Sequence, residues 1–135
     1  MAYLLDTNVV SQVRRSRPDP EVTRWLGAVD EDLYLSVVVV GELTRGVELL
    51  RRKDPEQARV QGAWLDALVH DFRDRLLPVS LEVAVAWGRL QVPGPRPMAD
   101  GLLAATALVH DLTVVTRNVR DFAGTRVRLV DPFSP

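Results

Sequence analysis

Leu4-Leu5-Asp6-Thr7-Asn8 joins a short apolar run to an acid within six residues of the start of the sequence. Tyr3 to Leu5 reads as a buried strand, so Asp6 stands just outside its carboxyl end, where open α/β sheets place ligands. Working outward, Asn8 to Arg15 reads as a helix that stops before Arg17-Pro18-Asp19-Pro20. Pro20 opens a second helix through Trp25 and Val29, at a position where its missing N–H costs nothing, and Asp30 to Leu33 turns the chain. Leu33 to Val40 is ambiguous: four consecutive valines favour a strand, while Glu42 to Arg52 carries apolar residues at helical spacing. The division placed on it is a strand over Leu33 to Leu35, with Ser36 as N-cap of a helix whose first turn is valine.

Pro55 starts a long helix to about Phe72, Leu76 to Val79 is a short strand, and Ser80 caps a helix through Trp87 and Leu90. Val92-Pro93-Gly94-Pro95-Arg96-Pro97 is a loop by its prolines alone. Met98 to His110 is an alanine-rich helix, and Leu112 to Thr116 and Val127 to Val130 supply the last two strands. Short strands alternating with helices imply an α/β fold with three layers (α/β/α) and a mostly parallel sheet covered on both faces. The 135 residues, 47% hydrophobic, form one domain over positions 1–135.

Bulk composition narrows the function classes. Cysteine is absent, which removes disulfide frameworks and thiolate metal sites. An acid at position 6 comes too early for a signal peptide, and no apolar run approaches the roughly 20 residues of a membrane span. The expectation is a soluble, unprocessed cytoplasmic protein that meets no membrane. A formal charge of -1 argues against a protein that coats nucleic acid with a broad basic field, yet leaves room for clustered acids with arginines on the approach. Lys53 is the single lysine; arginine forks match phosphate oxygens, and a GC-rich genome produces the same skew.

Several acids and amides fall at strand ends or helix starts, each with two readings. Asp6 is a helix N-cap or a metal ligand, with Thr7 and Asn8 positioned to orient it. Glu42, close to a buried valine layer, is either a ligand or the partner of Arg45 in a helical ion pair. Asp100 sits in the first helical turn, where the dipole favours an acid, on the same face as Leu103, Ala104 and Ala107; a carboxylate aimed at a packed face needs a compensating partner. Asn118 and Asp121, after the strand that ends at Thr116, are turn residues or site residues, and Arg117 and Arg120 face water or phosphate. His70 and His110 have no partner at metal spacing and read as polar residues at helix ends. Trp25, Trp64 and Trp87 read as core or interface.

In order along the chain, LLDTN, VVGEL, ADGLLAATA and TRNVRDF resemble the PIN-domain ribonucleases, and more closely the VapC-type toxins of bacterial toxin–antitoxin pairs. The resemblance spans essentially the whole chain. It implies a PIN-like α/β domain, endonucleolytic RNA cleavage, dimerisation, and inhibition by a VapB-type antitoxin. It places Asp6, Glu42 and Asp100 at the three acidic motif positions, with Asn118 standing where many relatives carry an acid; Asn118 then serves as a neutral metal ligand, or Asp121 substitutes from a turn later. Hard carboxylate oxygens select Mg²⁺ or Mn²⁺, so the expected reaction is hydrolysis by water activated at the ion, with the 5′-phosphate and 3′-hydroxyl ends that the resemblance implies. Thr7, Asn8 and Thr116 would orient the ligands, and Arg45, Arg117 and Arg120 would meet phosphate.

Two other classes stay open at this stage. A phosphotransfer domain of receiver or haloacid-dehalogenase type also ends its first strand in aspartate, but the second aspartate two residues on is absent here, as is a suitably placed lysine. A degenerate PIN domain that only binds RNA or a protein is the non-enzymatic alternative, and a housekeeping RNA-processing nuclease the enzymatic one.

Overall fold

The computed structural model describes residues 1–15, 17–29 and 32–134. Five strands, all parallel, form a sheet: β1 (Tyr3–Leu5), β2 (Leu33–Ser36), β3 (Leu76–Leu77), β4 (Thr113–Val115) and β5 (Leu129–Val130), in the order β3-β2-β1-β4-β5. Consecutive residues of β1 and β4 are buried, which requires cover on both faces and explains their unbroken apolar runs. The helices supplying it are α1 (Thr7–Val13), α2 (Pro20–Ala28), α3 (Val37–Arg51), α4 (Pro55–Asp71), α5 (Leu81–Leu90) and α6 (Met98–His110). No described helix is long and apolar enough to cross a membrane.

Strand order reverses between β1 and β4: the chain builds outward from β1 through β2 to β3, then returns to lay β4 on the other side of β1. A crevice opens at such a switch point, outside the carboxyl ends of the two strands. Asp6 follows β1 and Thr116 follows β4, so both flank it.

The valine run divides as read. Ser36 Oγ accepts from Val38 N at 3.0 Å, and its fully buried side chain starts α3 with Val39, Leu43 and Val47 facing the core. Asp19 and Asp54 cap α2 and α4, each followed by proline, and Ser80 caps α5. The ends of elements differ from expectation for local reasons. The first helix begins at Thr7 rather than Asn8, because Asp6 caps it, and stops at Val13 rather than Arg15. β3 stops at Leu77, where Pro78 has no N–H to continue a ladder. At the other edge, Val127 N turns to Thr125 Oγ1 at 3.3 Å, leaving only Leu129 and Val130 in β5. Asp30 and Glu31 lie outside the described residues, and with them most of the turn expected before Leu33.

Between α5 and α6 the packing is close. The alanines of α6 are buried, and a Cβ added at Gly101 would stand 3.0 Å from Trp87 Cδ1 and from Gln91 Nε2. Trp87 is therefore a packing residue; Trp25 meets Tyr3 edge-on at 4.9 Å between ring centroids, and Trp64 lies under Arg14. His70 and His110 are exposed in the last turns of their helices.

Candidate active site

Asp6 caps α1 with one carboxylate oxygen and keeps the other for partners outside that helix. Its Oδ1 accepts from Thr7 N at 2.7 Å as the N-cap of α1. Its Oδ2 is left to face the crevice, where Thr116 Oγ1 donates to it at 2.7 Å and Asn8 Nδ2 approaches at 3.4 Å. Thr116 is fully buried, and its hydroxyl in turn accepts from Asn118 N at 3.0 Å. Asn8 Oδ1 accepts from Arg117 N at 3.2 Å. The chain after β4 is thus fastened to the start of α1 through one threonine and one asparagine.

Glu42 stands on the exposed side of α3 rather than against a buried layer. Its partner is Thr7 Oγ1, which donates to Oε1 at 2.7 Å; among the described residues it makes no ion pair with Arg45. The helical phase explains this: Val39, Leu43 and Val47 take the core stripe, so Glu42 and Arg45 fall outside it, and Glu42 reaches across to α1. Thr7 therefore orients Glu42 with its hydroxyl and Asp6 with its backbone N–H.

Asp100 lies half-buried in the first turn of α6, whose N-cap, Pro97, supplies no side-chain hydrogen bond. Desolvation, then the charges of Asp121, Asp6 and Glu42, push its carboxyl up to about 6. Burial likewise raises Asp6; the hydrogen bonds from Thr116 and Thr7 pull it back, and Glu42 and Asp121 push it further up. Asp6 and Asp100 thus lie within reach of the charges of Glu42 and Asp121. Among the described residues no arginine or lysine forms an ion pair with any of them.

Their spacing is open: no three His, Cys, Asp or Glu among the described residues close into a metal-ligating group. Four carboxylates without a counter-charge repel one another, which favours such a spread. The donor set still fits a hard divalent cation, because it offers carboxylate oxygens alone and its like-charge strain is what a dication relieves.

Of the two candidates for the fourth position, Asp121 is the one whose charge acts on Asp6 and Asp100. It sits in a 3-10 turn, Val119–Phe122, anchored by buried Phe122. Asn118 is exposed and contributes its backbone N–H to Thr116. Arg117 and Arg120 are exposed at the rim. The Arg117 guanidinium lies over the ring of Phe133, 4.5 Å from its centroid, a support that sequence reasoning missed because sixteen positions separate the two and only the path of β5 brings the tail back.

Residues 3–126 match the PIN domain family. The chain is 35% identical to Toxin FitB of Neisseria gonorrhoeae over 96% of its own length and 97% of that toxin's. It is 33% identical to VapC ribonuclease Y4jK of Sinorhizobium fredii, covering 98% of each. Among solved structures, the crystal structure of FitAcB from Neisseria gonorrhoeae superposes with a TM-score of 0.89 at 34% identity, over 98% of this chain and 99% of that one.

Proposed function

The chain belongs to the PIN domain family, and from that premise we propose that it is the toxin of a toxin–antitoxin pair, an endoribonuclease that hydrolyses RNA phosphodiesters. The observation that carries this reading is Asp6 at the switch point between β1 and β4, hydrogen-bonded by Thr7 and Thr116 and near enough to Glu42, Asp100 and Asp121 for charge to act between them. Relatives named as a toxin and as a VapC ribonuclease, matched over nearly their full lengths, support the substrate and the biological setting.

Mg²⁺ or Mn²⁺ would be held by Asp6, Glu42, Asp100 and Asp121, with Asn118 beside them, and would supply Lewis acidity at the phosphodiester and lower the pKa of the attacking water. The protein's own contribution is orientation. Thr116 and Thr7 fix the two oxygens of Asp6 in different directions, so one carboxylate both starts a helix and faces the crevice. Thr7 holds Glu42 toward the same place. Arg117, stacked on Phe133, presents a guanidinium at the rim, where a phosphate oxygen neutralises it; Arg120 and Arg45 are the further basic residues on the approach. In the hydrolysis, water adds its oxygen to phosphorus, the 3′ oxygen leaves and takes up a proton, and the ends are a 5′-phosphate and a 3′-hydroxyl.

The partners follow from the same reading: an RNA substrate, a VapB-type antitoxin that silences the site, and a second copy of the chain as homodimer. The test is direct. Purified protein is incubated with RNA in Mn²⁺, in Mg²⁺ and in excess EDTA, and cleaved ends are sequenced beside those from Asp6→Asn and Asp121→Asn. Metal-dependent cleavage with 5′-phosphate ends, lost in folded Asp6→Asn, is expected. Equal cleavage by wild type and Asp6→Asn overturns the assignment, and RNA binding without cleavage supports the non-catalytic alternative.

A further inference from the structure

Three arginines outside the acid crevice line a second depression. Arg89, near the end of α5, Arg96, in the proline-rich loop before α6, and Arg126, before β5, border a groove of about 510 Å³ that Leu90, Val92 and Leu108 also line. Among the described residues no carboxylate lines it, in a chain whose acids slightly outnumber its bases.

Arg96 is structural in part: its Nε donates to Leu90 O at 3.2 Å and one terminal nitrogen donates to Ala123 O at 2.8 Å. It joins the loop that leads into Asp100 to the segment that follows Asp121. One lining residue of the groove thus ties together the chain segments next to Asp100 and Asp121. The side chains of Arg89 and Arg126, by contrast, make no hydrogen bond or ion pair with any described residue.

Arg126 also holds an unfavourable backbone. Its φ is 66°, in the left-handed region, where a residue with a Cβ pays a steric penalty that glycine or asparagine largely escapes. Gly124, two residues earlier, is left-handed as well, at 80°. Such outliers gather where a side chain must be aimed, and here the aimed side chain is an unpaired guanidinium on the rim of that groove.

We propose that this groove is a nucleotide subsite for the single-stranded RNA running out of the acid crevice, with Arg89 and Arg126 on its phosphates and a base against Leu90, Val92 and Leu108. The proposal rests on the ribonuclease reading. Volume and lining fit: the groove is within the 300–1,000 Å³ range of small-ligand sites, and RNA is held by guanidinium contacts to phosphate with bases laid on apolar or guanidinium surfaces. A strand gripped on both sides of the crevice is also registered relative to the acids, so the subsite contributes to the choice of cut site.

The experiment compares wild type, Arg89→Gln and Arg126→Asn for binding of a fluorescein-labelled single-stranded RNA dodecamer and tetramer in excess EDTA, across a salt titration. Asparagine tolerates the left-handed conformation, so Arg126→Asn separates binding from folding. Each variant is expected to bind the dodecamer about 3- to 10-fold more weakly, with a salt slope reduced by about 0.7 per lost phosphate contact, and to bind the tetramer with a smaller loss. Arg126→Asn is expected to melt no lower than wild type. Unchanged dodecamer affinity and slope, or equal losses for both lengths, overturn the subsite; so does a lower melting temperature for Arg126→Asn. Failure of wild type to cleave RNA in Mn²⁺ instead overturns the catalytic reading, and the metal-free binding result distinguishes the two.

Discussion

Asp100→Asn should make the metal-free protein more stable while removing its response to metal. In the folded chain the Asp100 carboxyl is raised from 3.8 to about 6, so the native state disfavours the charged form. For a raised carboxyl the penalty is fully present above the folded value, is relieved as pH falls through it, and is gone below the unfolded value. About two pK units correspond to roughly 3 kcal/mol at about 1.4 kcal/mol each; partial solvent exposure of Asp100 screens this to about 1 kcal/mol. Asparagine has the same shape and no charge. In EDTA near neutral pH the variant should therefore melt about 3–5 °C above wild type, and the gap should narrow as pH is lowered through about 6. With Mn²⁺ at 100 times its dissociation constant, wild type gains about 2.7 kcal/mol by mass action and the variant much less, so the order reverses. Scanning fluorimetry at two pH values, with and without Mn²⁺, reads all of this. An Asp100→Asn protein less stable than wild type in EDTA at neutral pH, or a gap that ignores pH, refutes the reasoning.

Three further outcomes follow from the geometry. Thr116→Val keeps the shape of a fully buried residue but removes the 2.7 Å bond to Asp6, a charge-assisted interaction worth about 1.5–3 kcal/mol; the acid limb of the pH–cleavage profile should move up by about one pH unit, and an unmoved limb contradicts the role given to Thr116. Phe133→Leu removes the ring beneath Arg117, an interaction of about 0.5–1 kcal/mol at an exposed site, so KM for RNA should rise about two- to fivefold with kcat unchanged; a fall in kcat alone would place Phe133 elsewhere in the mechanism. Gly101→Ala inserts a methyl 3.0 Å from Trp87 and Gln91, an overpacking cost of about 1–3 kcal/mol against about 1 kcal/mol of helix propensity gained. Urea unfolding should show net destabilisation that Trp87→Leu partly restores, and an equally stable single variant refutes the close approach.

Legibility varied with how local the cause was. The division at Ser36, the proline-started helices and the alanine face of α6 each depend on residues within a turn or two of one another, and they read correctly from the chain. Asp6 was legible as a cap, and the cap uses only one of its oxygens, so Oδ2 stays open to Thr116 and Asn8. Glu42 was misplaced because a run of valines looks buried whole, whereas the helix buries only one stripe of it and leaves Glu42 outside. Spacing leaves Asn118 and Asp121 side by side as candidates, and the turn that carries Asp121 is anchored by buried Phe122, a tertiary contact with no local signal. Phe133 under Arg117, and the three arginines around one groove, are products of tertiary path, with no periodic signal to mark them.

The hydrogen bond between Asp6 and Thr116 spans 110 positions, and β1 lies between β2 and β4. Synthesis delivers the amino end first, so a growing chain has β1 and Asp6 long before the strand that completes the crevice on its other side. The crevice is therefore incomplete until β4 has been made and has paired with β1. The amino-terminal part of the chain alone, with Asp6 but without Thr116, lacks the hydroxyl that orients that carboxylate, so the site is a property of the assembled sheet and not of either end of the sequence.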